Sequence, residues 1–208
     1  MILPLNVVLF SVGSRGDVSP FIEIGRRLKA RGHTVNLISH FSYKETAERA
    51  GLDFVAVDSP REYQEFIADQ HLLNDPRGVA EFIRRHSLSK IAEHSELIAQ
   101  SCEPRNTVLV TRDLFDTAIR LTAERSRLPV TWIFGFPSQA TTWKLRQQLF
   151  SEVLRPDINR ARAALGLQKV VAGDARLEYP SGAIGLWPEW FAEVEFDLPF
   201  KVTPVGFF

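Results

Sequence analysis

Asn6–Ser11 reads NVVLFS, a nearly continuous apolar run of the kind that forms a strand buried on both faces. Pro20 to Ala30 follows with Phe21, Ile24 and Leu28 at helical spacing, Ser19 placed to cap it and Pro20 suited to its first position. Arg26, Arg27, Lys29 and Arg31 crowd the expected last turn, where the helix dipole favours cations, and Gly32 supplies the stop. Thr34–Ser39 (TVNLIS) predicts a second strand, Tyr43–Ala50 a short helix closed by Gly51, and Asp53–Val57 (DFVAV) a third strand. Strands alternating with helices at this spacing pair in parallel through right-handed crossovers.

The middle of the chain is less regular. Arg61–Asp69 is a polar helical stretch, and Asn74-Asp75-Pro76-Arg77-Gly78 reads as a turn. Val79–Cys102 predicts one long amphipathic helix, with Phe82, Ile83, Ile91 and Ile98 as apolar positions. The simple alternation then resumes: Thr107–Thr111 as a strand, Phe115–Arg125 as a helix, Val130–Phe134 as a strand. Ser138–Leu165 is helical, interrupted at Pro156, and Ala183–Trp187 and Lys201–Val205 read as two late strands. The expected architecture is a single α/β domain spanning 1–208, doubly wound around a mainly parallel sheet of about seven strands.

Composition narrows the function without choosing it. Basic and acidic residues balance at 25 each, so no global field points to nucleic acid or to an anionic membrane. The single cysteine, Cys102, rules out an internal disulfide framework and suits a reducing compartment. Met1–Phe10 is too short, and lacks the basic flank, for a signal peptide. No run approaches the roughly 18 to 20 apolar residues that span a bilayer. A soluble, cytoplasmic protein is the expectation. His71, His86 and His94 fall on separate polar stretches, and nothing has metal-ligand spacing.

In such sheets, ligands bind beyond the carboxyl ends of the strands. Collecting the residues there gives two carboxylates, Asp17 and Asp113, one imidazole, His40, and the aromatics Phe134, Phe136, Trp187 and Trp190. That mixture suits a small apolar ligand with a reactive hydroxyl. The loop after the first strand, Gly13-Ser14-Arg15-Gly16-Asp17, carries the sharpest signal. Its Gly-x-x-Gly spacing departs from the dinucleotide Gly-x-Gly-x-x-Gly, and the second strand ends in Ser39-His40 with no acid for a ribose. No Gly-Lys-Ser/Thr follows, so a P-loop fails as well. Two readings of Asp17 remain: a helix-terminal residue that only helps the chain turn, or a base.

The run Gly13-Ser14-Arg15-Gly16-Asp17-Val18-Ser19-Pro20, then Gly25-Arg26-Arg27-Leu28 and Arg31-Gly32-His33-Thr34-Val35, resembles the N-terminal domain of GT-B glycosyltransferases. The resemblance is to bacterial and fungal enzymes that glycosylate lipids, sterols and natural-product aglycones. Val108-Leu109-Val110 leading to Asp113, the Ala123–Pro129 junction and Gly185-Leu186-Trp187 extend it along nearly the whole chain. It implies a Rossmann-like half of an inverting hexosyltransferase in which Asp17 deprotonates the acceptor hydroxyl, with Asp113 or Asp116 assisting and a helix N-cap role open for Asp113. His40, Phe136, Trp143 and Trp187 stand as acceptor contacts, with a plain loop role as the alternative for His40 and core positions as the alternative for the aromatics. Ser14, Arg15 and Gly16 would face the donor phosphates, with a turn role open for Ser14; His33 reads as structural.

The same resemblance implies no metal and no cofactor. The donor, a UDP- or dTDP-sugar, would be held mainly by a C-terminal domain that this chain lacks, so the chain reads as an inactive fragment alone. Its expected partners are an apolar small-molecule acceptor and its own donor domain; peripheral membrane contact and a homodimer of the fragment stay open. The alternatives are a stand-alone small-ligand-binding module and, disfavoured by the glycine spacing, an NAD(P)-dependent oxidoreductase.

Overall fold

The computed structural model describes residues 3–112, 116–171, 180–191 and 198–207. Seven strands among these form one sheet: β1 (Asn6–Phe10), β2 (Thr34–Ser39), β3 (Asp53–Ala56), β4 (Thr107–Thr111), β5 (Val130–Phe134), β6 (Gly182–Gly185) and β7 (Thr203–Pro204). Their order is β3-β2-β1-β4-β5-β6-β7 and every neighbouring pair is parallel, so the doubly wound α/β reading holds. The chain winds outward one way from β1 and the other way from β4, which makes the gap between their carboxyl ends the topological switch point.

Alternation along the strands divides the core. Val8, Phe10, Ile38, Leu109, Trp132 and Phe134 pack on one side. They meet α5 (Ile91–Gln100), α6 (Thr117–Ser126) and α9 (Arg155–Ala164) through Ile91, Ile98, Ile119 and Ile158. Val7, Leu9, Val35 and Leu37 point the other way, onto Val18, Phe21 and Ile22 of α1 (Arg15–Ala30). Gly25 lets α1 lie close: a Cβ there would stand 2.9 Å from Leu52 and 3.0 Å from Leu9. Beside α1, on the same face of β4 to β6, the sheet holds an apolar trough of about 530 Å³ lined by Val110, Ile133 and Ile184.

Several elements depart from the sequence pattern. α1 begins at Arg15, not Pro20, because Ser14 caps it and Asp17 returns to the cap residue; Pro20 lies inside the helix and Ser19 does not cap it. Val79–Cys102 is not one helix. It divides into α4 (Pro76–His86), a 3₁₀ turn at Leu88–Lys90, and α5. At the break the Ser89 hydroxyl donates to the Arg85 carbonyl, the acceptor that the Ser89 N–H would use in a continuous helix. Ahead of α4 lie α2 (Lys44–Arg49), α3 (Pro60–Ala68) and a 3₁₀ segment, Asp69–Asn74.

The predicted helix over Ser138–Leu165 is α7 (Pro137–Thr141), α8 (Trp143–Gln148), a π turn at Leu149–Val153, and α9. The interruption falls at Leu154, one turn-forming step ahead of Pro156. The late strands are short. β7 has two residues, and its pairing continues through Val205 N–H to the Gly185 carbonyl at 3.0 Å. Among the described residues, no helix is long and apolar enough to cross a membrane.

Candidate active site

Gly13 ends the apolar run of β1 with φ 144°, a conformation that side chains disfavour, and so aims the next residues back over the sheet. Ser14 then caps α1 and Asp17 occupies its third helical position. Asp17 Oδ2 accepts the Ser14 N–H and the Ser14 hydroxyl, each at 2.8 Å. Its other oxygen, Oδ1, accepts from Arg112 Nη1 at 2.6 Å. Arg112 follows β4, so this ion pair bridges the two strands that flank the switch point. With Oδ2 filled, Oδ1 keeps one lone-pair direction for a further donor.

Open space lies beside that carboxylate. A cavity of about 330 Å³ is lined by Asp17, Arg112 and Asp116 and by Phe66, Leu73, Phe82 and Ile83, with Gln70, His86 and Ser87 also on its lining. Its size is near the lower end of small-molecule sites, roughly 300–1,000 Å³. The trough of about 530 Å³ beside α1 is larger, but its polar rim is Arg27, Arg31 and His33 and it contains none of the residues around Asp17. A crevice of about 20 Å³ on the other side of Asp17 joins it to Phe136, which is 61% exposed.

The wall of the cavity comes from the segment between β3 and β4. Ser59 caps α3, with its N–H and hydroxyl donating to Glu62 Oε2 at 2.9 and 2.8 Å. Glu62 is held also by Lys90, and these bonds lower its carboxyl to about 2. Asp75 caps α4 by accepting the Arg77 and Gly78 amides. A Cβ on Gly78 would stand 2.2 Å from the Leu72 carbonyl oxygen, so the entry to α4 needs glycine. Thus anchored, α3 and α4 present Phe66 and Phe82 to each other at 5.2 Å and to the cavity.

His40 follows β2 and lies in a smaller pocket of about 40 Å³ that shares Val12, Phe66 and His86 with the larger cavity. Its Nδ1 is 2.6 Å from Asp58 Oδ2, and Asp58 Oδ1 accepts the Phe41 N–H at 2.8 Å. The carboxylate therefore fixes the proton on Nδ1. His40 Nε2 is buried and has no hydrogen-bond partner among the described residues. An unmatched polar atom in such a place costs about 1–3 kcal/mol. Burial lowers the nearby His94 to about 4, and it raises the Tyr43 hydroxyl to about 12, with Tyr63 and Asp17 adding to the effect. That hydroxyl donates to the Gly13 carbonyl at 3.4 Å.

The other expected site residues fall in different places. Ser14, Arg15 and Gly16 are exposed on the first turn of α1. Trp143 and Trp187 do not line the cavity: both are 1% exposed and belong to the core cluster, with Trp143 against Trp132 at 5.1 Å. Their bulk is used to pack α8 and β6, so the wall reading is replaced by the core one. Asp113 lies outside the described residues. Asp116 is buried, accepts from Thr111 Oγ1 at 2.7 Å and lies 3.5 Å from Arg112. His33 is structural, its Nδ1 accepting the Leu5 N–H at 3.1 Å. Arg112 stood in the loop after the fourth strand, and only its carboxylate neighbours were singled out. Asp58 and the α3–α4 aromatics come from stretches whose sequence carries no site-like motif.

Residues 7–142 match the model of the glycosyltransferase family 28 N-terminal domain. The chain belongs to this family. Relatives of this family 28 domain include the sterol 3-beta-glucosyltransferase UGT80A2 of Arabidopsis thaliana, 47% identical over 24% of this chain and 8% of that protein. A sterol 3-beta-glucosyltransferase of Yarrowia lipolytica is 30% identical over 68% of this chain and 10% of its own length. Among solved structures, the calicheamicin glycosyltransferase CalG4 superposes with a TM-score of 0.70 at 17% identity, over 98% of this chain and 52% of that one. The spinosyn rhamnosyltransferase SpnG gives 0.64 at 20% identity, over 98% and 50%. At these identities the solved structures establish the fold. The family 28 domain described here spans about half the length of those structures and about a tenth of the curated relatives.

Proposed function

We propose that this family 28 domain is the acceptor-binding half of an inverting hexosyltransferase that glycosylates the hydroxyl of a sterol or comparable apolar alcohol. The observation that supports the reading best is the Asp17 carboxylate, held between Ser14 and Arg112 on the lining of a largely apolar cavity. The α3–α4 wall takes up the apolar body of the acceptor, and its hydroxyl lies against Asp17 Oδ1. Asp17 accepts the hydroxyl proton while the oxygen attacks the anomeric carbon from the face opposite the nucleotide diphosphate. The diphosphate departs with the bonding electron pair, and configuration at that carbon inverts.

An alcohol is a poor nucleophile, and a positioned base typically contributes about 10²–10⁴-fold. Arg112 is a positioning residue in this scheme: it fixes the carboxylate in one rotamer. The positive dipole end of α1, with the Ser14 side chain and the amides of Arg15 and Gly16, faces the diphosphate of a UDP- or dTDP-sugar held mainly by a donor domain joined to this one. No metal or cofactor takes part in the scheme.

The test uses the polypeptide in which this domain is joined to its donor domain, assayed for sugar transfer to a sterol. Asp17→Asn keeps the shape and the Ser14 contacts, and kcat should fall by at least about 10²-fold with the melting temperature held within a few degrees. Near-normal turnover in that variant would return Asp17 to a capping role. The product's anomeric proton coupling, read by NMR, checks inversion separately.

A further inference from the structure

We propose that His40, oriented by Asp58, binds a second hydroxyl of the acceptor, so that the domain selects apolar molecules with two separated hydroxyl groups. The inference rests on the reading of the Asp17 cavity as the acceptor site. His40 is 4% exposed, and its Nε2 is the edge of the ring left over once Asp58 has taken Nδ1. The other polar groups around its pocket are already matched. Glu62 is held by Lys90 and Ser59, and His86 by Asp69 at 2.9 Å. His94 bonds the Val57 backbone.

The pocket and the acceptor cavity are neighbours, with Val12, Phe66 and His86 lining both. The two ends are also joined through one backbone frame. Ser39, beside His40, donates to the Ser11 carbonyl at 2.6 Å, and the Ser11 hydroxyl donates to the Asp17 carbonyl at 3.0 Å. A pocket of about 40 Å³ admits a small polar group and excludes a ring. A hydroxyl is the group that satisfies Nε2 in either charge state, donating to the neutral imidazole and accepting from the protonated one.

The experiment titrates the chain with two probes, a monohydroxysteroid and the dihydroxysteroid of the same ring skeleton with its hydroxyls at opposite ends, by calorimetry or tryptophan fluorescence. The dihydroxysteroid should bind about fivefold or more tightly to the unaltered chain. His40→Phe keeps the ring against Phe66 and should erase that preference. His40→Gln, which restores a polar end, should recover part of it. Asp58→Asn should weaken it, because the imidazole is no longer held in one tautomer.

Equal affinities in the unaltered chain, or a preference that survives in His40→Phe, overturns the assignment of His40 while the acceptor site itself stands. Binding of neither probe overturns the acceptor reading, and this inference with it. A His40→Phe chain that fails to fold moves the decision to His40→Gln against Asp58→Asn, and an unchanged preference in both overturns the proposal.

Discussion

An alanine methyl at position 13 would stand 2.5 Å from Asp17 Oδ2 and would require a side chain at φ 144°. Gly13→Ala is therefore expected to lower stability by about 1–3 kcal/mol and to push the carboxylate off Ser14. Denaturant unfolding measures the first effect, and transfer activity in the joined polypeptide, falling by more than the stability loss explains, measures the second. His94 supplies a pH signature. Burial holds the folded imidazole near 4, below its ordinary value of 6.5, so the unfolded chain binds the extra proton first. Stability is then full above about pH 6.5 and falls as pH drops toward 4, by roughly 3 kcal/mol. His94→Phe should flatten unfolding curves across that window, whereas the lowered Glu62 acts below it. The sequence marked Asp17 through its glycine-flanked loop, because a positive-φ bend leaves a signature in residue type. It left Arg112 and Asp58 unmarked, since pairing across strands depends on where the chain returns.

At the level of elements, α6 and α9 are tied by Arg162, wholly buried, whose guanidinium bonds both Glu124 oxygens at 2.6 and 2.7 Å and the Gln168 carbonyl at 2.6 Å. Glu124→Ala strands that charge in the core and should cost about 3–5 kcal/mol, visible as an early thermal transition. Strands were legible because Val- and Leu-rich runs that are buried on both faces look alike wherever they occur. Helix boundaries were less so. Ser14 and Asp17 start α1 earlier than Ser19 and Pro20 suggest, and the apolar spacing of 79–102 carries no sign of the turn between α4 and α5. That division matters to the site, because α4 turns toward the Asp17 cavity while α5 packs on α6. A continuous helix over 79–102 would have placed Phe82 elsewhere.

For the molecule as a whole, strand order decides where chemistry can occur. β1 and β4 are distant in sequence but adjacent in the sheet, and the Asp17–Arg112 pair spans their ends. Arg112→Ala should destabilise the domain by about 1–3 kcal/mol, Asp17 and the buried Asp116 both losing a partner, and should lower kcat in the joined polypeptide by loosening the base. A double-mutant cycle with Asp17→Asn gives the coupling directly; additive effects would mean that the pair positions nothing. The topology and the switch point were readable from the alternation of elements. The cavity was not, because its wall is built by the least periodic part of the chain.

Among the described residues, the two-residue β7 forms one edge of the sheet. Val205 donates inward to Gly185, so in the alternating pattern the amide of residue 204 would face outward, and there the chain has proline. An incoming strand would find no N–H to template on at that position, and extension of the sheet from that side is discouraged by a single ring.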